Sequence, residues 1–319
     1  MGRVSIGGQA VIEGIMMKNN DKYAIAVRKP DKEIEVKVEQ YKPARDRCSL
    51  LGFPIIRGVF NFVESLVIGI KTLMYSASFY DEEEEDKNKD KDKEKKKSKK
   101  ENKKDDKKGN DGLFMFTTVA LSLIVAIGLF MLLPAYLASL LDRFISNNVL
   151  LGLVEGIIRI VIFLIYVALI SGMEDIKRTF MYHGAEHKCI NCLEAGEELT
   201  VDNVMKHSRF HKRCGTSFLF IVMIVSILVF MCIRTDTLLL KLLYRVLLVP
   251  VVAGISYEFI KFAGSHDNLF ANVLSKPGLW VQRLTTREPS EDMAEVAIVA
   301  VENVLDWRAY LDDNKRADK

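Results

Sequence analysis

The sequence lacks the features that mark several common classes of protein. Its five cysteines are too few for a disulfide scaffold in a chain of 319 residues. Residues 1–20 have no basic start, apolar core and small-residue cleavage site, so no signal peptide is expected. The glycines of residues 7–14 match neither a dinucleotide-binding fingerprint nor a phosphate-binding loop. The net charge of +3 gives no case for nucleic-acid binding, and we expect no nucleic-acid partner.

Apolar and charged residues are segregated along the chain. Hydrophobic residues make up 49% of the sequence and charged residues 27%. Residues 113–141 carry no charge, whereas residues 81–111 contain thirteen lysines and thirteen acidic residues. An uncharged apolar stretch of this length is typical of a membrane span, which excludes an ordinary soluble globule and a wholly disordered chain. We therefore predict a polytopic membrane protein of the mainly α class, with residues 81–112 as a charged, disordered linker.

Apolar segments of spanning length recur after the linker. Each has near or above the roughly 20 residues that a helix needs to cross about 30 Å of hydrocarbon. The joints within each pair are very short, so the segments are expected to form two transmembrane hairpins, residues 113–172 and 216–263. The four predicted spans are residues 113–141, 149–172, 216–233 and 238–262.

Basic residues predict the orientation of these spans. Residues 173–215 hold seven lysines or arginines, whereas each short joint holds one. Because basic loops stay on the cytoplasmic side, we place residues 173–215, both termini and the charged linker in the cytoplasm. The expected location is the bacterial inner membrane, in contact with the lipid bilayer.

Residues 55–80 form a long apolar segment that polar side chains interrupt. Arg57, Asn61, Glu64 and Lys71 are spaced by four, three and seven residues, which places them along one stripe of a helix. One interpretation is an amphipathic helix on the membrane surface or against the spans. The other is an intramembrane helix whose Arg57 and Glu64 face a polar cavity. A full crossing would place the basic N-terminal unit outside the cell, so the orientation argues against it.

The N-terminal unit, residues 1–54, is predicted to be a small cytoplasmic β unit. Residues 23–28 and 33–39 alternate apolar and polar side chains around Pro30, a pattern typical of a β-hairpin. Residues 7–14 are rich in glycine and are expected to form a loop.

The C-terminal segment, residues 264–319, is polar again and is expected in the cytoplasm. Acidic residues follow Pro289 and Ser290, a pattern that favours a helix start. Apolar residues then recur at spacings of three and four. We predict a single amphipathic helix over residues 290–311.

The strongest chemical signal lies in the predicted cytoplasmic segment. His183 and His187 are four residues apart, so on a helix both imidazoles share one face and can bind a single divalent metal ion. Glu186 lies between them in an order that is the inverse of the common zinc-protease motif. Glu186 could orient or deprotonate a metal-bound water and is the candidate catalytic residue.

Three further side chains are expected at the same membrane face. His211 and Cys214 abut the third span, and Glu258 lies near the cytoplasmic end of the fourth. Glu258 would lie within an apolar span, where an ionised side chain costs free energy unless it is paired or bound to a metal ion. Three interpretations stay open. They are interfacial histidines without a metal, a closed structural zinc site of His183, His187, His211 and Cys214, and an open catalytic metal site.

Glu155 and Arg159 are a second polar feature within the apolar segments. They lie four residues apart in the second span. Separate charges in hydrocarbon are costly, so an internal ion pair is the simpler interpretation. A polar pathway or a substrate pocket is the alternative.

The other histidines and cysteines give weaker signals. Cys189 and Cys192 form a C-x-x-C pair, but no thioredoxin-like strand and helix surround it. His207 and His266 are predicted to be surface residues. Cys232 is expected to be a small apolar filler within the third span.

Several motifs in the sequence are long and specific. They are residues 7–17, 182–188, 213–218, 254–258, 277–282 and 284–289. Together they resemble the YqhQ-like family of bacterial integral membrane proteins, and the resemblance covers nearly the whole chain outside the charged linker. The resemblance implies an uncharacterised family whose members are predicted to be metal-dependent enzymes.

The leading functional prediction is a metal-dependent hydrolase in the membrane. His183 and His187 would hold a divalent metal ion, most simply zinc, at the cytoplasmic membrane face. Glu258, His211 or Cys214 would supply the third ligand.

Two other classes of function fit the sequence. The chain could be a non-catalytic assembly factor for another membrane complex, such as protein-translocation or insertion machinery. The polar stripe from Arg57 to Lys71, together with Glu155 and Arg159, would then form contact surfaces. A small transporter is the third reading, and a homo-oligomer would supply it with further spans.

Overall fold

The computed structural model describes residues 6–42, 53–92, 117–145, 147–233, 237–265 and 268–317. In this part of the chain the structure is mainly helical, with one small antiparallel sheet. It divides into two compact units. The first comprises residues 1–81, 167–225 and 249–319, and the second comprises residues 82–166 and 226–248.

The sheet is an antiparallel meander at the start of the chain. Its strands lie in the order β1 Ile6–Val11, β2 Gly14–Asn19, β3 Lys22–Arg28 and β4 Ile34–Gln40. The β3–β4 hairpin confirms the prediction for residues 23–28 and 33–39.

The prediction of a loop over residues 7–14 is wrong, because residues 7–11 belong to β1 and Gly14 begins β2. A two-residue turn joins the strands, and Glu13 adopts a left-handed backbone there, with φ of 49°. Gly14 packs so closely on β3 that a Cβ atom would lie 2.4 Å from the Ala26 carbonyl oxygen. Gly14, one of the glycines that suggested a loop, therefore permits close contact between β2 and β3.

The helices follow the sheet along the chain. α2 contains a π-helical turn at Gly128–Leu132. The helices are α1 Ile56–Asp92, α2 Thr117–Ser139, α3 Asn148–Ile170, α4 Glu174–Glu194, α5 Val201–Lys206, α6 Gly215–Met231, α7 Leu238–Ser265, α8 Leu269–Thr285, α9 Glu291–Glu302 and α10 Trp307–Ala317.

Among the described residues, four helical segments are long and apolar enough to cross a membrane, which suggests a membrane protein. Three of them agree with predicted spans, although residues 113–116 lie outside the described residues. The predicted third span, α6, has 17 residues and is shorter than the others. The fourth segment of spanning length is instead in α1. The qualifying segments are Ile56–Tyr80, Thr117–Ser139, Val149–Ile170 and Leu242–Ala263.

α1 is longer than the sequence suggested. It continues through residues 81–92, the first part of the segment predicted to be a disordered linker. The remainder of that segment, residues 93–112, lies outside the described residues.

The C-terminal part of the chain differs from its prediction in two ways. The single helix expected over residues 290–311 is split into α9 and α10, because Asn303 ends α9 and its side chain donates to the Val299 carbonyl at 2.9 Å. The break lets Trp307 turn into the core, where it is 5% exposed. α8 was not predicted, because Pro277 and several polar residues lie within it.

In the first unit the sheet is covered on both faces. Ile15, Met17, Ala24 and Ala26 point to one face and pack with buried residues of α4 and α9. Residues of the opposite face pack against Ile68 of α1. This alternation follows from the two-residue period of a strand, and burying each large side chain contributes roughly 1.5–3 kcal/mol. The sheet is thus the middle layer of three.

Candidate metal centre

Two histidines of α4 and one cysteine meet in the first unit. The imidazole rings of His183 and His187 lie on one helical face, with ring centroids 4.4 Å apart. Cys214 directly precedes α6 and is brought against them. One ligand atom from each of the three side chains lies within 4.8 Å of the other two. This is the spacing at which nitrogen and sulfur atoms can bind a common metal ion.

Backbone carbonyls orient both imidazoles. His183 Nδ1 lies 2.8 Å from the Thr285 carbonyl at the end of α8, and His187 Nδ1 lies 2.7 Å from the Arg209 carbonyl. A carbonyl can only accept, so each Nδ1 carries the hydrogen and each Nε2 is left for another partner. His183 Nε2 lies 3.1 Å from Cys214 Sγ. His187 Nε2 is buried and has no hydrogen-bond partner among the described residues. Hydrogen bonds from Nδ1 to a backbone carbonyl, such as these two, are typical of metal-binding histidines.

The Cys214 thiol is held at the N-terminus of α6. The Thr216 backbone N–H donates to Sγ at 3.4 Å. Burial disfavours the thiolate, but the positive charges of His183 and His187 outweigh burial and hold the pKa of Cys214 well below its usual value. Burial likewise opposes the charged imidazole, but the Cys214 thiolate raises the pKa of His183 to about 9. Without a metal, the pair is therefore a thiolate and an imidazolium.

Glu186 lies beside this group and is itself buried, with 5% exposure. Its carboxylate interacts with the backbone N–H of Gly8 in β1, whereas Oε2 has no hydrogen-bond partner among the described residues. Burial raises the pKa of Glu186, and the charges of His183 and His187 oppose that shift. The Glu186 carboxylate therefore interacts electrostatically with both histidines, and its Oε2 is free of hydrogen bonds to the described residues.

His211, a predicted ligand, is not part of the three-residue group. Its Nε2 lies 3.3 Å from Glu194 Oε2. Its backbone is held by Gln282, which accepts from the His211 N–H at 2.9 Å and donates to the His211 carbonyl at 2.8 Å. The closed site of His183, His187, His211 and Cys214 is therefore not assembled in this structure.

Glu258, the other predicted alternative for the third metal ligand, forms an ion pair outside the three-residue group. Arg57 of α1 makes a bidentate ion pair with it, with Arg57 Nε 2.6 Å from Glu258 Oε1. Glu64 accepts a hydrogen bond from Tyr41, next to the sheet. Arg57 and Glu64 thus both bind side chains of neighbouring elements, Glu258 and Tyr41.

Glu155 and Arg159 form the internal ion pair expected in the second unit. Arg159 Nη2 donates to Glu155 Oε1 at 3.0 Å, and Arg245 of α7, which the sequence did not single out, donates to Glu155 Oε2 at 2.7 Å. Arg159 also donates to the Phe130 carbonyl at 3.0 Å, within the π-helical turn of α2. A π-turn shifts the helical hydrogen-bond pattern, which lets this carbonyl accept a side chain.

A second group of three potential ligands lies nearby in the chain. Ligand atoms of Cys192, Glu197 and His207 are within 4.8 Å of one another. Burial, followed by the charge of Glu197, raises the pKa of Cys192 to about 12, so its thiol stays protonated. Its Sγ lies 3.6 Å from the Glu198 carbonyl. The protonated thiol is a poor metal ligand, so the group with Cys214 is the better candidate.

Cys189 and Cys232, the other cysteines among the described residues, belong to neither group of potential ligands. Cys189 is a buried thiol in the core between the sheet and α4, and no disulfide joins it to Cys192. Cys232 is exposed within the described part of the chain. His266 lies outside the described residues.

The sequence analysis did not identify the residues that hold the side chains of the candidate metal centre in place. Thr285 and Arg209 act through backbone carbonyls, which leave no chemical signature in a sequence. Gly184 allows the chain at Arg287 to cross α4, because a Cβ atom there would lie 2.0 Å from the Arg287 carbonyl oxygen. The signals that could have found them were the motifs at residues 182–188, 277–282 and 284–289, which contain Gly184, Gln282 and Thr285.

The described part of the chain thus defines a mainly helical protein with four candidate membrane spans and a small antiparallel sheet. Its candidate site is a group of two histidines and a cysteine, of which His187 and Cys214 are buried. The chain belongs to the family described as "Protein of unknown function (DUF1385)", whose model matches residues 53–307. It is 34% identical over 320 residues to "Uncharacterized protein YqhQ" of Bacillus subtilis (strain 168), covering 97% of this chain and 95% of that protein. The resemblance to the YqhQ-like family is thereby confirmed. No solved structure matches the chain.

Proposed function

We propose that this chain is an integral membrane protein that binds a divalent metal ion, preferably zinc, through His183, His187 and Cys214. One observation carries the proposal. Both Nδ1 atoms are bound to backbone carbonyls, and His183 Nε2 lies 3.1 Å from Cys214 Sγ. One ligand atom from each of the three side chains lies within 4.8 Å of the other two, and His187 Nε2 has no hydrogen-bond partner among the described residues. Two imidazoles and a thiolate suit zinc, which favours nitrogen and sulfur ligands.

The favoured activity is hydrolysis. His183, His187 and Cys214 would hold the zinc ion as three protein ligands, and the ion would supply Lewis-acid chemistry for hydrolysis. Glu186 is suited to the role of general base, because its Oε2 has no hydrogen-bond partner among the described residues and burial raises its pKa. The Gly8 N–H would hold the other part of the carboxylate in place.

The position of the centre supports a substrate at the membrane. Cys214 directly precedes the apolar helix α6, and α4 begins four residues after the span Val149–Ile170 ends. A site so close to the ends of apolar helices would take a molecule that lies in or on the cytoplasmic leaflet. The cytoplasmic side follows from the basic residues of segment 173–215.

A structural metal is the second candidate, and burial favours it. His187 is 1% exposed and Cys214 is 5% exposed. An ion there would join α4 and α6 near the end of α8, as structural zinc joins small domains. The predicted translocation partner, transporter function and homo-oligomer stay predictions.

Metal content of the purified full-length protein tests the proposal. We expect zinc bound at a single site per chain, and its loss in His183→Ala, His187→Ala and Cys214→Ser. His211→Ala and His207→Ala are the matched controls, because both histidines lie outside the group and should keep the metal. Protein that is free of metal as isolated and cannot be loaded would refute the proposal.

Cobalt substitution separates the catalytic candidate from the structural one. Cobalt bound by Cys214 gives a thiolate-to-metal charge-transfer band, which Cys214→Ser should abolish. If a coordination position is open, added azide changes the cobalt spectrum. If the site is closed, azide has no effect. Glu186→Gln should leave the cobalt spectrum intact if Glu186 is a base, and should change it if Glu186 is a ligand.

A further inference from the structure

One face of α1 is attached to the sheet over more than four helical turns. Ile68, Thr72 and Ser76 are all at most 7% exposed. Ser76 Oγ accepts the Ile12 backbone N–H at 3.1 Å, and Lys71 Nζ lies 2.5 Å from Glu39 Oε2. Further contacts extend this attachment from Glu64, bound by Tyr41, to Tyr80, which donates to the Arg28 carbonyl.

The sheet itself cannot lie in hydrocarbon. Its strand order leaves β1 and β4 as open edges, and β4 carries the charged residues Glu35, Lys37 and Glu39. Backbone groups at an open edge need water or a partner, and an open-edged sheet does not occur in the lipid core. The part of α1 that lies along the sheet is therefore outside the hydrocarbon core, although by length and composition Ile56–Tyr80 qualifies as a span.

The opposite face of α1 is apolar and uncovered by the described part of the first unit. Phe60, Val63, Val67, Ile70 and Met74 are between 39% and 61% exposed. Their spacings of three and four residues place them along one stripe of the helix. A continuous exposed stripe of this kind marks an interaction surface.

The first turns of α1 are bound to a candidate span. Arg57 pairs with Glu258, and Asn61 donates to the Tyr257 hydroxyl at 2.8 Å. Gly58 lies so close to α7 that a Cβ atom would be 2.9 Å from Gly254 Cα. These contacts join the start of α1 to the C-terminal half of α7, so the apolar stripe begins beside a segment that crosses the bilayer.

The number of times that the chain crosses the membrane also places α1 outside the hydrocarbon core. The sheet packs against α4, so both lie on one side of a membrane. Between β4 and α4 the chain passes through α1, α2 and α3, and it must cross an even number of times. If α2 and α3 both cross, α1 does not.

We propose that α1 is an interfacial helix whose partner is the lipid surface. The stripe from Phe60 to Met74 lies at the boundary between headgroups and acyl chains of the leaflet on the side of the sheet. Amphipathic helices bind membranes in this way, with the apolar face buried and the polar face outward. Here the outward face is occupied by the sheet, so α1 fixes the soluble layer and the metal centre against the membrane.

Labelling of single cysteines tests the side on which each end of α1 lies. Lys42→Cys, Ser78→Cys, Lys177→Cys and Asp142→Cys are made with the native Cys48 and Cys232 replaced by serine, because the other native cysteines are buried. Cells and inverted vesicles are treated with a membrane-impermeant maleimide. We expect the first three positions to react from one side and Asp142→Cys from the other. Reaction of Ser78→Cys from the side opposite to Lys42→Cys would show that α1 crosses and would overturn the proposal.

A spin label at Val67→Cys tests the contact with lipid. In phospholipid vesicles we expect the label to be accessible to oxygen and shielded from a water-soluble nickel complex. Lys37→Cys, on the edge strand β4, is the matched control and should show the reverse. If the Val67 label is as accessible to nickel as the control, the stripe faces water and the proposal fails. If it is shielded from both reagents, protein covers the stripe, and the proposal also fails.

Discussion

Gly8 allows strand β1 to reach the carboxylate of Glu186. A Cβ atom at this position would lie 2.8 Å from the Met16 carbonyl oxygen and 2.9 Å from Glu186 Cδ. Gly7, its neighbour in the same strand, has nothing within 4 Å of such an atom. The two glycines look alike in the sequence, and only the structure separates the one that supports the centre.

We predict that Gly8→Ala destabilises the protein and Gly7→Ala does not. The added methyl group must displace backbone or the Glu186 side chain, and overpacking of this kind costs roughly 1–3 kcal/mol. Thermal unfolding in detergent measures the difference between the variants. Equal melting temperatures for both would mean that β1 does not approach α4 as closely as described.

Metal affinity should rise with pH across the neutral range. The pKa of His183 is raised to about 9, so below that pH the metal must displace a proton from its imidazole. Cys214 is already a thiolate, because its pKa is lowered, and it releases no proton. Affinity should therefore increase by about tenfold per pH unit and level off above the pKa of His183. Competition with a chelating dye at several pH values measures this slope, and a flat profile would contradict the thiolate–imidazolium pair.

At the scale of helices and strands, most correct predictions came from the pattern of apolar residues in the sequence. Long apolar runs predicted α2, α3 and α7, because a span needs only length and a predominantly apolar composition. The i, i+4 spacing of His183 and His187 predicted a shared face on α4. The strands β1 and β2 and the helix α8 were missed, because glycines and Pro277 oppose the usual propensities there. Tertiary packing, which a single sequence does not display, overrides those propensities.

The helices of the second unit should depend on the charge of Glu155. Glu155 is 1% exposed and accepts from both Arg159 and Arg245. Glu155→Gln leaves two buried arginines facing a neutral amide, and removal of one partner of a buried ion pair costs roughly 3–5 kcal/mol. Arg143→Gln, at an exposed position of the joint before α3, is the control.

Unfolding in detergent would measure both variants, with a large loss expected for Glu155→Gln and little change for Arg143→Gln. The metal content of the Glu155 variant should stay unchanged while it is folded, since the metal centre lies in the other unit. Similar stability for both variants would show that the ion pairs contribute nothing measurable.

At the scale of the whole chain, the first unit gathers segments from both ends and the middle. The sheet packs with α4 and α9, and the proposed metal ligands are His183, His187 and Cys214. The sequence suggested that a soluble N-terminal unit existed. It gave no indication that this unit covers the metal centre, because contacts between residues so far apart leave no periodic pattern. The centre is therefore a property of the assembled unit, beyond the histidine motif alone.

Two fragments divided within the charged segment should reassemble. We predict that residues 1–92 and 113–319, produced together, co-purify through the sheet and bind metal as the intact chain does. Residues 113–319 alone should lose the metal, because the fragment lacks the Gly8 N–H beside Glu186 and exposes the core faces of α4 and α9 to water. Affinity purification through a tag on one fragment, followed by metal analysis, measures both outcomes. If the larger fragment alone binds metal as tightly as the intact protein, the sheet is dispensable and the centre needs only the helices that carry its ligands.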